Sequence, residues 1–117
     1  MIWIGGGLGS VLRYLVQLGM SRLVSISFPA GTLLVNVTGC FIIGLLYGFV
    51  NKHDMVSQEW RMFLITGLCG GYTTFSSFSH ESISLLRLGN YTYFILYLLL
   101  SVIMGLLATV GGLAIVK

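Results

Sequence analysis

Four apolar stretches, each long enough for the roughly 20 residues that cross the hydrocarbon core of a bilayer, take up almost all of this chain. They run from Ile2 to Met20, Pro29 to Val50, Glu59 to Leu86 and Tyr91 to Val116. Lipid offers no water to an unpaired backbone N–H or C=O, so a spanning segment has to satisfy its own, as a helix does. Charge content agrees: only 8% of the 117 residues are charged, against about 25% in a soluble domain. The mean hydropathy is +0.98. The expected fold is an all-α membrane protein of four transmembrane helices, forming a single domain over residues 1–117 without linker or soluble appendage.

The connections are short. Arg22 and the Ser-rich stretch up to Phe28 join the first two spans, and Pro29, the only proline, suits the first turn of the second, where its missing N–H is no loss. Asn51-Lys52-His53-Asp54 ends the second span, and Arg87-Leu88-Gly89-Asn90 links the third to the fourth. The first span has no basic segment ahead of it and carries Arg13 in its middle, which argues for a membrane helix rather than a signal peptide. Four spans would put Lys52, Arg61 and Lys117 on one side and Arg22 and Arg87 on the other. That is nearly no positive-inside bias. Either other determinants set the orientation, or the chain inserts both ways and pairs antiparallel with itself. The net charge of +3 comes from scattered single residues; with no basic patch, nucleic acid is not an expected partner.

The third span is longer than a crossing needs. Its centre holds Gly67, Gly70 and Gly71 and then the hydroxyl-rich run Thr73-Thr74-Phe75-Ser76-Ser77-Phe78-Ser79. Glycines followed by hydroxyl residues weaken a helix, and backbone that leaves helical geometry at membrane depth persists only inside protein or against a wet cavity. A helix break is expected here, and with it the working site.

Several residues could carry chemistry. Asn36 is the most polar side chain of the second span, with Thr32 one turn before it on the same face. Its amide serves either as an interhelical bond or as a donor of two N–H bonds to an anion. Phe75 and Phe78 share a helix face, and aromatic rings present a positive edge to a small anion. Tyr97, Ser101 and Gly105 form a stripe along the fourth span. Arg13, costly at membrane depth, draws anions to a vestibule, pairs with Glu81 or snorkels to an interface. The pairs Gly5 and Gly9, Gly44 and Gly48, and Gly67 and Gly71 read as close helix packing. Cys40 and Cys69 read as small buried hydrophobes, and His80 has no second ligand at a metal-binding spacing. With three acids and no nucleophile–base set, an enzyme is not expected.

The run Gly70 to Ser79, the segment Gly31-Thr32-Leu33-Leu34-Val35-Asn36 with Gly39, and Gly6 to Tyr14 with its single arginine together resemble the motifs of the Fluc/CrcB fluoride channels. The resemblance covers essentially the whole chain. It implies an antiparallel, dual-topology homodimer in the inner (plasma) membrane of a microbial cell, with pores that export fluoride passively from the cytoplasm. It further implies that Phe75 and Phe78 contact fluoride with their ring edges and that Asn36 donates in the pore. Tyr97 and Ser101 line the fourth-helix side, and Thr32, Thr74 and Ser79 supply further hydroxyls. Arg13 faces a vestibule. Gly70 and Thr73 offer backbone carbonyls to a structural sodium ion at the dimer centre. The expected partners are thus fluoride, sodium, a second copy of the chain and membrane lipid. One departure is Gly105, where some members carry a second serine. The competing expectation is a dual-topology exporter of the small multidrug-resistance type, which depends on a glutamate in the first helix where this chain has Arg13.

Overall fold

The computed structural model describes residues 2–23, 28–52 and 57–116. Residues 24–27 of the Ser-rich stretch, His53-Asp54 and Lys117 therefore lie outside the described residues. All regular structure among the described residues is helical. Helix α1 spans Ile2–Leu23 and α2 Ala30–Lys52. The third stretch comes in pieces: α3 (Gln58–Arg61), a π-helical segment (Met62–Cys69), α4 (Gly70–Tyr72) and α5 (Phe75–Arg87). Helix α6 spans Tyr91–Val116, the bounds expected from its apolar run.

Local chemistry accounts for most of the ends. Pro29 stands one residue earlier than expected, as the cap before α2 whose carbonyl accepts from Leu33 N–H (3.3 Å). Ser57 caps α3, its hydroxyl accepting from Trp60 N–H (3.3 Å). Between α5 and α6, Gly89 takes a left-handed φ of 75°. Its N–H reaches Leu86 O (3.1 Å) and that of Asn90 reaches Leu85 O (3.0 Å), closing the carbonyl end of α5 in a Schellman turn. Asn90 then begins α6, its Oδ1 accepting from Tyr93 N–H (3.4 Å).

Two helix pairs make the body, and in both the members run parallel. One is α2 with α6. Gly44 lies against the Thr109 carbonyl and Gly112 against the backbone of Phe41 and Leu45, so close that a Cβ at either position would collide. The other is α1 with the π segment and α4, where Gly5 and Gly9 meet the backbone of residues 63–72 and Gly67 and Gly71 meet that of Ile2 and Gly6. Glycines on both sides let the backbones touch, the packing that small residues permit in lipid. The first and third glycine pairs of the sequence are thus two halves of one crossing.

The surface is the reverse of a soluble protein's. Val35, Cys69, Leu85 and Tyr97 are the buried apolar residues among those described, whereas Leu8, Val11, Leu15, Ile103, Leu106 and Leu107 point outward. An apolar surface on that scale belongs against lipid or another chain. Helices α2 and α6 are long and apolar enough to cross a membrane.

Candidate functional site

Helical geometry is lost at two residues. Thr73 (φ −81°, ψ 156°) and Thr74 (φ −147°, ψ 124°) are extended, between the half-helix that ends at Tyr72 and the one that begins at Phe75. A break inside a membrane protein strands donors and acceptors, and here most find a side chain. Thr73 sends both its N–H and its hydroxyl to Cys69 O, at 3.0 Å each. Asn36, on α2, takes both backbone groups of Thr74: its Oδ1 accepts from the Thr74 N–H (2.8 Å) and its Nδ2 donates to the Thr74 carbonyl (2.9 Å). A backbone N–H can only donate, so this pairing also fixes which amide atom is the oxygen. The Thr74 hydroxyl caps α5 by accepting from Ser77 N–H (3.2 Å). Arg13, on α1, donates from Nε to Gly71 O (3.2 Å).

These bonds have a consequence for the carbonyls left behind. In an unbroken helix Thr74 N–H would bond to Gly70 O, and Ser77 N–H to Thr73 O. Both donors are diverted, one to Asn36 and one to the Thr74 hydroxyl. The carbonyls of Gly70 and Thr73 are released together, at the break.

Beside the break lies an open groove of about 340 Å³. Asn36, Thr74, Phe75, Phe78 and Ser101 line it, together with Thr73. Five of the residues expected on an anion path thus come together from α2, α5 and α6. Asn36 gives one amide hydrogen to Thr74 and keeps the second for the groove. The Ser101 hydroxyl is buried and has no partner among the described residues; the Tyr97 hydroxyl is in the same condition. The Phe75 and Phe78 rings stand 5.6 Å apart, and Phe78 leans on Tyr97 at 5.0 Å. Phe75 is 78% exposed, an unusual state for a ring at the centre of a protein's polar break.

Three expected path residues lie elsewhere. Tyr97 is fully buried behind Phe78, and Ser79 is exposed. Thr32 is 2% exposed and committed on both sides: Gln17 Nε2 donates to its oxygen (3.0 Å) and its hydroxyl donates to Glu81 Oε1 (2.5 Å). This chain of bonds ties α1, α2 and α5 together. It also corrects one expectation, since Glu81 pairs with Thr32 and Arg13 pairs with Gly71 rather than the two with each other.

Two contributors were missed by sequence reasoning. Gln17 lies one turn beyond Arg13 and is the other strongly polar side chain of the first span, which was the available signal. Cys40 lines the groove one turn beyond Asn36. A Cβ on Gly105 would stand 3.6 Å from its sulfur, so the thiol fills the wall where α6 has no side chain.

Comparison with known proteins identifies the family. The family described as "CrcB-like protein, Camphor Resistance (CrcB)" matches residues 1–113. A protein of Flavobacterium psychrophilum named "Fluoride-specific ion channel FluC" is 52% identical over 116 residues, covering 99% of this chain and 94% of its own length. A Rhizobium meliloti protein of the same name is 49% identical over 117 residues, covering 100% and 94%. One from Azobacteroides pseudotrichonymphae is 45% identical over 112 residues, covering 96% and 90%. On a match of that length and depth, this chain belongs to the CrcB family.

Proposed function

We propose that the chain is a fluoride-selective ion channel, passing fluoride out of the cytoplasm down its gradient across the inner membrane of a microbial cell. The observation that carries this reading is the groove at the helix break, in which an amide donor, two hydroxyls and two phenylalanine rings converge. The names of the relatives support it. Fluoride is compact and strongly hydrated, so a filter has to replace its water without holding it fast. The free hydrogen of Asn36 and the unpartnered hydroxyl of Ser101 offer that replacement, and ring edges add a weak positive field. No Lys or Arg lines the groove among the described residues, so no fixed cation would trap the ion there.

The working unit in this reading is an antiparallel homodimer of four-span chains. A single chain leaves Phe75 open on one side of the groove, and a second copy would complete the wall. Gly70 and Thr73 fit a structural sodium ion between the copies, because their carbonyls are released at the break and carbonyl oxygen is a hard ligand suited to such a cation. Bound there, the ion would neutralise stranded acceptors and draw the two breaks together.

Purified protein of this one chain, reconstituted in fluoride-loaded liposomes, is expected to discharge fluoride rapidly and chloride far more slowly. Equal chloride flux, or no flux of either ion, would overturn the proposal.

A further inference from the structure

We infer that Arg13 is a positioning residue of the break, acting through the hydrogen-bond donor at Nε rather than through its charge. The inference rests on the channel reading above and assigns Arg13 a different task from attracting anions to a vestibule.

Gly71 lies in the last turn of the half-helix that ends at Tyr72, where carbonyls lack helical partners. An unbroken helix would give its oxygen the Phe75 N–H. Here it receives Arg13 Nε at 3.2 Å. The bond follows from the glycine crossing. Gly9 sits against Leu68 and Tyr72, and Gly71 against Gly6, so the backbone of α1 runs almost in contact with the half-helix. Arg13 is one turn beyond Gly9, and at that approach the carbonyl is reached by the nitrogen three carbons from Cα, not by the tip of the side chain. In sequence, Gly71 directly follows Gly70 and stands two residues before Thr73, the two residues whose carbonyls are released. By holding this acceptor, Arg13 keeps the half-helix from closing onto α5 and determines which acceptors remain open at the break.

Charge and donor can be separated because two substitutions divide them. Glutamine places an N–H at the same distance from Cα as arginine Nε, without charge. Lysine keeps the charge but has a methylene at that position and its nitrogen one atom further out. In the liposome assay Arg13→Gln is expected to keep fluoride efflux within about threefold of the wild type, and Arg13→Lys to lose about tenfold or more, the scale of one buried bond from a charged donor. The dependence of efflux on salt concentration should be unchanged in Arg13→Gln, since charge steering is what salt screens. Melting temperature in detergent should follow the same order, glutamine above lysine, and that readout stands whether or not fluoride flows. Lysine outperforming glutamine would overturn the inference in favour of charge. Equal loss in both, equal retention in both, or an Arg13→Gln chain that fails to fold would overturn it as well. A wild type that passes no fluoride would instead remove the channel reading, leaving the melting order to decide the bond.

Discussion

Asn36 and Ser101 face the same groove but do opposite things there, and substituting each should separate stability from conduction. The Asn36 amide satisfies both backbone groups of Thr74. Asn36→Leu has similar volume and leaves an N–H and a C=O stranded, at about 1–3 kcal/mol each. It is expected to lower the melting temperature by several degrees and to abolish fluoride efflux. The Ser101 hydroxyl has no partner among the described residues, so Ser101→Ala removes no bond. Its melting temperature should hold or rise slightly while efflux falls about tenfold; an unchanged efflux would remove Ser101 from the path. Residue types at this scale were legible in the sequence. Asn36, Phe75, Phe78 and Ser101 were singled out by polarity or spacing, and they do meet. The bonds were not legible. Whether an intramembrane Asn faces an anion or the backbone depends on where the next strand of chain breaks, and Thr32 was similarly hidden behind Gln17 and Glu81.

Among the elements, the third stretch departs most from its sequence reading. The glycines and threonines announced a break, which falls at Thr73 and Thr74. Nothing in the residue pattern of Met62–Cys69 announced a π-helix, because its wider turns answer to the neighbour packed against it and leave no periodicity of their own. That neighbour is α1, and the pairing of glycine rows was equally unreadable: the small-residue spacing marks a helix as able to approach closely but does not name its partner. The crossing now has a specific test. A Cβ at Gly9 would drive into the Leu68 carbonyl and the Tyr72 N–H, whereas one at Gly7 meets nothing within 4 Å. Gly9→Ala is expected to destabilise the protein by about 1–3 kcal/mol, the usual cost of overpacking. Gly7→Ala should be neutral or stabilising by up to about 1 kcal/mol, since alanine is the better helix former. Thermal unfolding of the two variants side by side checks this; equal behaviour would mean that α1 and the half-helix do not touch as described.

For the whole molecule, the decisive quantity is how the chain sits in the membrane. Lys52 Nζ reaches the Val116 carbonyl (3.4 Å), so the end of α2 and the end of α6 share one side. Arg22 and Arg87 lie in the last turns of α1 and α5, next to where α2 and α6 begin, and so on the opposite side. Positive charge is therefore close to balanced across the body, and the positive-inside preference has little to act on. A protein that exposes so much apolar surface, and leaves Phe75 uncovered beside a polar groove, also has reason to meet a second copy of itself. In the proposed dimer, balanced charge would make both orientations available from one gene product, and opposed orientations are what an antiparallel pair requires. The connection between α5 and α6 offers a clean reporter. Leu88 is 77% exposed in that turn, while Cys69 is buried and Cys40 lies within α2. In intact cells, Leu88→Cys is expected to react with a membrane-impermeant maleimide in about half of the molecules, the other half reacting only after the membrane is opened. Labelling of nearly all or nearly none of the molecules from outside would mean a single orientation. The antiparallel dimer would then fall, whatever the groove proves to conduct.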